Sequence, residues 1–238
     1  LHGGTYNISY KLELFNENLN NGFSSFGPRS SISCVKYENK YYLATGEPLF
    51  NLVSIFSSSA ENPEEWENSR KALNVPVSNT DTKFGQKVQL LSASNGLNLF
   101  IKSVNYDDLS KDYGYILHSF SSDGTEWSDP VPLSVYASSL EITGSKADFA
   151  DYFDVLLDSS GEQEKIIIAI GSPTDDYVAS NNGAVFVVTG TLSNNAWRWS
   201  DKNLIYYSQF SERPGTGISL ISCSSGYQLF FAESETSL

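Results

Sequence analysis

Four stretches of this chain run through the same order: a short strand, a polar turn, then a second apolar strand ending in small residues. They are SFGPRSSISCVKYENKYYLAT from residue 25, KFGQKVQLLSASNGLNLFIKS from residue 83, DFADYFDVLLDSSGEQEKIIIAIGSP from residue 148 and PGTGISLISCSSGYQLFFAES from residue 214. After each of the first three comes a loop and a third strand opened by Gly or Asn: NLVSIFSSS, GYILHSFSS and GAVFVVTGT. A polar turn then leads to Trp66, Trp127 and Trp197, spaced by 61 and 70 residues, and the Phe-Gly pairs at Phe26 and Phe84 lie 58 apart. Helical periodicity is scarce, and the apolar runs are bounded by Gly, Asn, Asp, Ser and Pro, as strands are. A period of about 60 residues with four short strands is the pattern of propeller blades. The fold class is all-β and the expected architecture a β-propeller.

The fourth repeat stops after its second strand, at FFAESETSL, while the chain begins with a Gly-led, strand-like HGGTYNISYKLELFN that lacks preceding strands. Joined end to start, the two make close to one blade. The expectation is a single domain over residues 1–238 with four blades, closed by pairing of the N- and C-terminal strands. The alternative is a fragment of a larger propeller. Leu1 and the absence of any Met point to a processed or trimmed product.

Cys34 and Cys223 match no metal-ligand or redox spacing, but both follow Ile-Ser in the first strands of the first and last repeats. Those blades become neighbours once a ring closes, which favours a Cys34–Cys223 disulfide. Two packed thiols are the other reading.

Charge narrows the partners. With 15 Lys+Arg against 28 Asp+Glu the net charge is −13, which repels nucleic acid and anionic membranes. The longest apolar runs, such as Ile166 to Ile170, are far too short to span a bilayer.

Two motifs resemble known propeller repeats. Phe84-Gly85, Gly171-Ser172-Pro173 and Gly183-Ala184-Val185-Phe186 are similar to FG-GAP repeats of integrin-type propellers. Ser121-Ser122-Asp123-Gly124-Thr125-Glu126-Trp127 resembles the Asp-box turn of sialidase-type propellers. The first resemblance implies calcium loops in some blades. Here Asp151, Asp154 and Asp158 are too widely spaced for one ion, so neither metal nor cofactor is expected. The second implies a turn remote from any ligand, with Asp123 accepting backbone hydrogen bonds, Gly124 at positive φ and Trp127 packed between blades.

The sialidase resemblance also implies three arginines around a substrate carboxylate, a Tyr nucleophile with a Glu partner, and an Asp acid. The chain has only Arg29, Arg70, Arg198 and Arg213, of which Arg29 and Arg213 alone fall near inner strands. His2 is near the terminus and His118 reads as a sheet residue, so no Ser-His-Asp set is expected.

The expected ligand face carries the loops joining second to third strands. Two of these hold similar motifs: Tyr106-Asp107-Asp108 with Asp112-Tyr113, and Asp175-Asp176-Tyr177. Tyrosines give contact area at low entropy loss and carboxylates steer basic partners or accept sugar hydroxyls. The expected function is a non-catalytic module, extracellular or at the cell surface, that binds a protein or glycan through this rim. The alternatives are a divergent sialidase-like glycoside hydrolase, and a structural or small-ligand-carrying propeller.

Overall fold

The computed structural model describes residues 31–62, 66, 71–74, 82–104, 114–133, 149–173, 183–208, 213–224 and 226–233. They form four antiparallel sheets, each ordered as the chain runs. The first holds β1 (Ile32–Tyr37), β2 (Lys40–Glu47), β3 (Leu52–Ser59) and β4 (Lys71–Asn74). The second holds β5 (Val88–Ala93), β6 (Gly96–Val104), β7 (Gly114–Ser121) and β8 (Val131–Pro132). The third holds β9 (Tyr152–Asp158), β10 (Lys165–Ser172), β11 (Ala184–Ser193) and β12 (Ala196–Trp199), with β13 (Asn203–Tyr207) also pairing β11. The fourth is the hairpin of β14 (Pro214–Cys223) and β15 (Gly226–Glu233). A 3-10 turn covers Pro48–Phe50.

Period-two alternation sends apolar side chains to both faces of the middle strands, and each face packs on a different neighbour. On β6, Leu97, Leu99 and Ile101 join Tyr42, Ala44, Val53 and Ile55 of the first sheet, while Phe100 joins Phe153, Val155 and Phe186 of the third. On β10, Ile166, Ile168 and Ile170 face the second sheet, and Ile167 and Ala169 meet Leu220 of the fourth. Each such buried aliphatic side chain contributes roughly 1.5–3 kcal/mol. The cores therefore lie between sheets, and the sheets stand face to face around an axis.

The Phe-Gly signal marks the seams. Phe84-Gly85, Phe149-Ala150 and Pro214-Gly215 recur 65 residues apart, with φ of +88°, +64° and +90° at the second position. This left-handed residue turns the chain into each inner strand. The Gly85 N–H donates to the Lys102 carbonyl, and the Ala150 N–H to the Gly171 carbonyl. The backbones also come close across the seam: a Cβ built on Gly46 would lie 1.8 Å from the Gly85 oxygen, and one on Gly171 2.1 Å from that of Gly215. Phe26-Gly27 lies outside the described residues.

The 121–127 turn has the geometry expected from its sequence. Asp123 Oδ1 accepts from the Thr125 N–H and hydroxyl, both at 2.8 Å; Gly124 has φ +80°; and the Trp127 Nε1–H donates to the Gly124 carbonyl. Trp127 is buried in the core shared with the first sheet, and the Tyr42 hydroxyl donates to the Asp123 carbonyl at 3.1 Å. Tyr42→Phe is expected to destabilise the chain by about 1 kcal/mol in thermal or urea unfolding, because it deletes one inter-sheet hydrogen bond.

The expected Cys34–Cys223 disulfide is not formed. The inner strands pack in the order β1 on β5, β5 on β9 and β9 on β14, and β14 does not pack on β1 in the same way. Ile32 and Cys34 are exposed at one end of this arc, and Ile221 and Phe230 at the other. The expected closing segment lies within residues 1–30, outside the described residues.

Candidate functional site

The first strands β1, β5, β9 and β14 each leave one edge unpaired within their own sheet. These edges face the axis and are tied to one another by polar side chains. The Ser33 Oγ accepts from the Leu90 N–H at 2.8 Å, and the Ser31 Oγ accepts from the Val88 N–H at 3.1 Å. The Gln89 Nε2–H donates to Asp154 Oδ1 at 2.7 Å, and the Leu220 N–H donates to Asp154 Oδ2 at 2.7 Å. Asp154 thus joins β5, β9 and β14, with the Val155 N–H as a further donor to Oδ1.

These residues occupy equivalent register positions. Ser33, Gln89, Asp154 and Ser219 stand opposite Ala44, Phe100, Ala169 and Phe230 of their second strands. Two residues earlier, toward the loops joining second to third strands, come Ser31, Lys87, Tyr152 and Gly217. Two residues later come Val35, Leu91, Leu156 and Ile221. The polar side chains therefore gather at the loop-facing end of the inner strands, while Val35, Leu91 and Leu156 below them pack into the cores between sheets.

The cations at this end are held tightly. Lys87 Nζ lies 5.0 Å from the centre of the Phe153 ring; burial holds its pKa below the usual lysine value, and the attraction of Asp154 only partly opposes this. Lys102, at the end of β6, is fully buried, donates to the Phe149 carbonyl and pairs with Asp151 at 3.2 Å. Gly114 makes room for it, since a Cβ there would stand 2.8 Å from Lys102 Nζ. Among the described residues no group of three or more His, Cys, Asp or Glu could hold a metal ion.

Solved structures of low sequence identity share this fold. A thermostable family-43 glycoside hydrolase matches with a TM-score of 0.50 at 12% identity, over 87% of this chain and 65% of its own. The alpha-L-arabinanase of Penicillium chrysogenum, solved with arabinobiose, matches with a TM-score of 0.57 at 16% identity, over 90% of this chain and 61% of its own. The fold is a β-propeller. This chain spans less than two thirds of the length of either structure. No protein-family model matches the sequence, and no curated protein matches it.

These likenesses correct the expected function. A non-catalytic binding module is overturned by propeller neighbours that are glycoside hydrolases, and the divergent glycoside hydrolase alternative fits them better. The shortage of arginines for a sialidase pattern and the absence of a Ser-His-Asp set exclude two enzyme types only.

The expected rim residues Tyr106, Asp107, Asp108, Asp112, Tyr113, Asp175, Asp176 and Tyr177 all lie outside the described residues. Their segments connect β6 to β7 and β10 to β11, leaving after Val104 and Pro173 and returning at Gly114 and Gly183. The residues that the reading of the sequence missed are Lys87, Gln89, Tyr152 and Asp154. Their signal was positional: Gln86 to Gln89 after Phe84-Gly85, and Asp151 to Asp154 after Phe149-Ala150, hold polar side chains at matching offsets.

Proposed function

We propose that this chain is a divergent glycoside hydrolase that takes its glycan into the loop-facing end of the axis. The observation that carries the reading is the polar mouth formed by Lys87, Gln89, Tyr152 and Asp154 in a fold shared with an arabinanase. Hydrolysis of a glycosidic bond needs two carboxyl groups, one protonating the leaving oxygen and one acting as base or nucleophile. Both Asp154 oxygens are already engaged by N–H donors, so Asp154 shapes the mouth and does not carry the proton. In this reading the acid and base come from the loop set Asp107, Asp108, Asp112, Asp175 and Asp176, with Tyr106, Tyr113 and Tyr177 as stacking surfaces for sugar rings.

The finer fold belongs to the same proposal. One domain over residues 1–238, with FG-GAP-like seams and an Asp-box-like turn, is completed by residues 1–30 adding strands beside β15. The exposure of Ile221, Tyr227 and Phe230 on the fourth sheet supports this closure. A glycan substrate fits an extracellular or cell-surface location.

The test is release of reducing ends from a panel of polysaccharides that includes arabinan. Hydrolysis is expected, and the double variants Asp107→Asn/Asp108→Asn and Asp175→Asn/Asp176→Asn are expected to lower kcat by roughly 10²–10⁴-fold. No hydrolysis of any glycan overturns the enzyme reading; unchanged kcat in both variants removes the loop carboxylates from it.

A further inference from the structure

We propose that Lys87 is a specificity-determining residue that holds a carboxylate on the sugar, so that the glycan is an acidic one, of the uronic-acid class. The inference rests on the glycoside hydrolase reading and names the substrate class of the same site. Lys87 precedes β5 at the loop-facing end of the axis, level with Ser31, Tyr152 and Gly217. Its ammonium lies over the Phe153 ring and makes no hydrogen bond among the described residues. The nearby carboxylate, Asp154, is turned to the wall: Gln89, Val155 and Leu220 supply its donors. Burial outweighs the pull of Asp154 on Lys87, so the positive charge is under-compensated where it sits. A half-buried ammonium with three unused donors is best completed by an anion, because a sugar hydroxyl supplies a hydrogen bond but no charge.

The geometry sets this site apart from the other cations of the region. Lys102 is fully buried against Phe149 and Asp151, and so is closed to a ligand. Lys202 is set over the Phe149 and Phe186 rings, at 5.6 and 4.9 Å. Among the described residues, Lys87 combines the axial register with unused donors.

The test compares a trigalacturonide with its carboxyl-reduced counterpart, titrated calorimetrically against the full chain. The acidic form is expected to bind at least about tenfold more tightly, an advantage that weakens with added salt. Lys87→Met and Lys87→Gln are expected to abolish that difference and Lys87→Arg to keep most of it; circular dichroism checks that each variant is folded. Equal binding of the two sugars by the native chain overturns the inference, as does a preference that survives in both Lys87→Met and Lys87→Gln. Hydrolysis of neutral glycans without any preference for the acidic form would sink this inference and leave the hydrolase reading standing. Lys87-dependent binding of the trigalacturonide with no release of reducing ends from any glycan would support the carboxylate site while removing the hydrolase.

Discussion

Gly171→Ala and Gly46→Ala are each expected to destabilise the protein by at least about 4 kcal/mol, or to prevent folding. A Cβ on Gly171 would meet the Gly215 oxygen at 2.1 Å, with the Gly215 carbonyl carbon and Cα at 2.9 and 3.0 Å. On Gly46 the corresponding oxygen of Gly85 would be 1.8 Å away. In both cases the obstacle is the backbone of the next sheet, held at positive φ (+90° at Gly215, +88° at Gly85), so no side-chain rotation relieves it. The seam must open, and the cores on either side of it, Leu220 against Ala169 in one case and Phe84 against Val53 in the other, lose contact together. Thermal unfolding should show a fall of about 2–4 °C for each kcal/mol in a domain of this size. Gly161→Ala is the control: its nearest neighbour would be 3.8 Å away, and the change should be nearly neutral. If Gly46→Ala and Gly161→Ala melt alike, the close approach of the sheets is not a constraint on folding.

The second large effect is acid destabilisation through His118. This residue on β7 is buried, with Nε2 2.9 Å from Asn98 Oδ1 and its ring 5.2 Å from Phe100 and 5.7 Å from Trp199. None of these neighbours carries charge, and burial lowers its pKa from 6.5 to about 3. In the folded chain the imidazole stays neutral where the unfolded chain takes up a proton. Stability is therefore intact above pH 6.5 and falls as pH drops from there toward 3, by about 1.4 kcal/mol per pH unit and about 4–5 kcal/mol in total. Asp123 and Asp158 also have lowered pKa values, from hydrogen bonds with Thr125 and Ser160 respectively, but their contribution is lost only in the carboxylate range. The interval from pH 6.5 to 5 therefore isolates the histidine. Urea unfolding across that interval should slope in the native chain and be nearly flat in His118→Gln. An equal slope in both would assign the acid sensitivity elsewhere.

Much of the fold was legible in the sequence because it is written in short-range chemistry. The turn at 121–127 needs a carboxylate, a residue tolerant of positive φ and an indole at fixed offsets, and Asp123, Gly124 and Trp127 supply them whatever surrounds the turn. The strand order within each sheet follows the chain, since a polar turn between two apolar runs closes a hairpin locally. The Phe-Gly recurrence was visible, although its third and fourth members, Phe149-Ala150 and Pro214-Gly215, kept the conformation while changing the letters.

The site was less legible, for two physical reasons. Asp107, Asp108, Asp175 and Asp176 lie next to tyrosines in sequence, so their pattern is visible in the chain itself. Lys87 immediately precedes an inner strand and Gln89 and Asp154 sit inside inner strands, where their neighbours in sequence are the apolar Val88, Leu90, Phe153 and Val155. They become a set only when separate sheets bring equal register positions to one axis, a distance of 65 residues from Gln89 to Asp154. The cysteines failed for the opposite reason: a shared Ile-Ser-Cys tripeptide gives the same strand position, but a disulfide also requires the two strands to be adjacent, and β14 packs on β9.

By itself, then, the sequence determined the all-β class, the hairpin order and the turn chemistry, because each depends on residues within a few positions of one another. Tertiary structure alone decided which polar side chains converge, which carboxylate is saturated and which ammonium is left with donors to spare. Those outcomes depend on how whole sheets stack, and stacking is set by the sum of many apolar contacts that no single motif records.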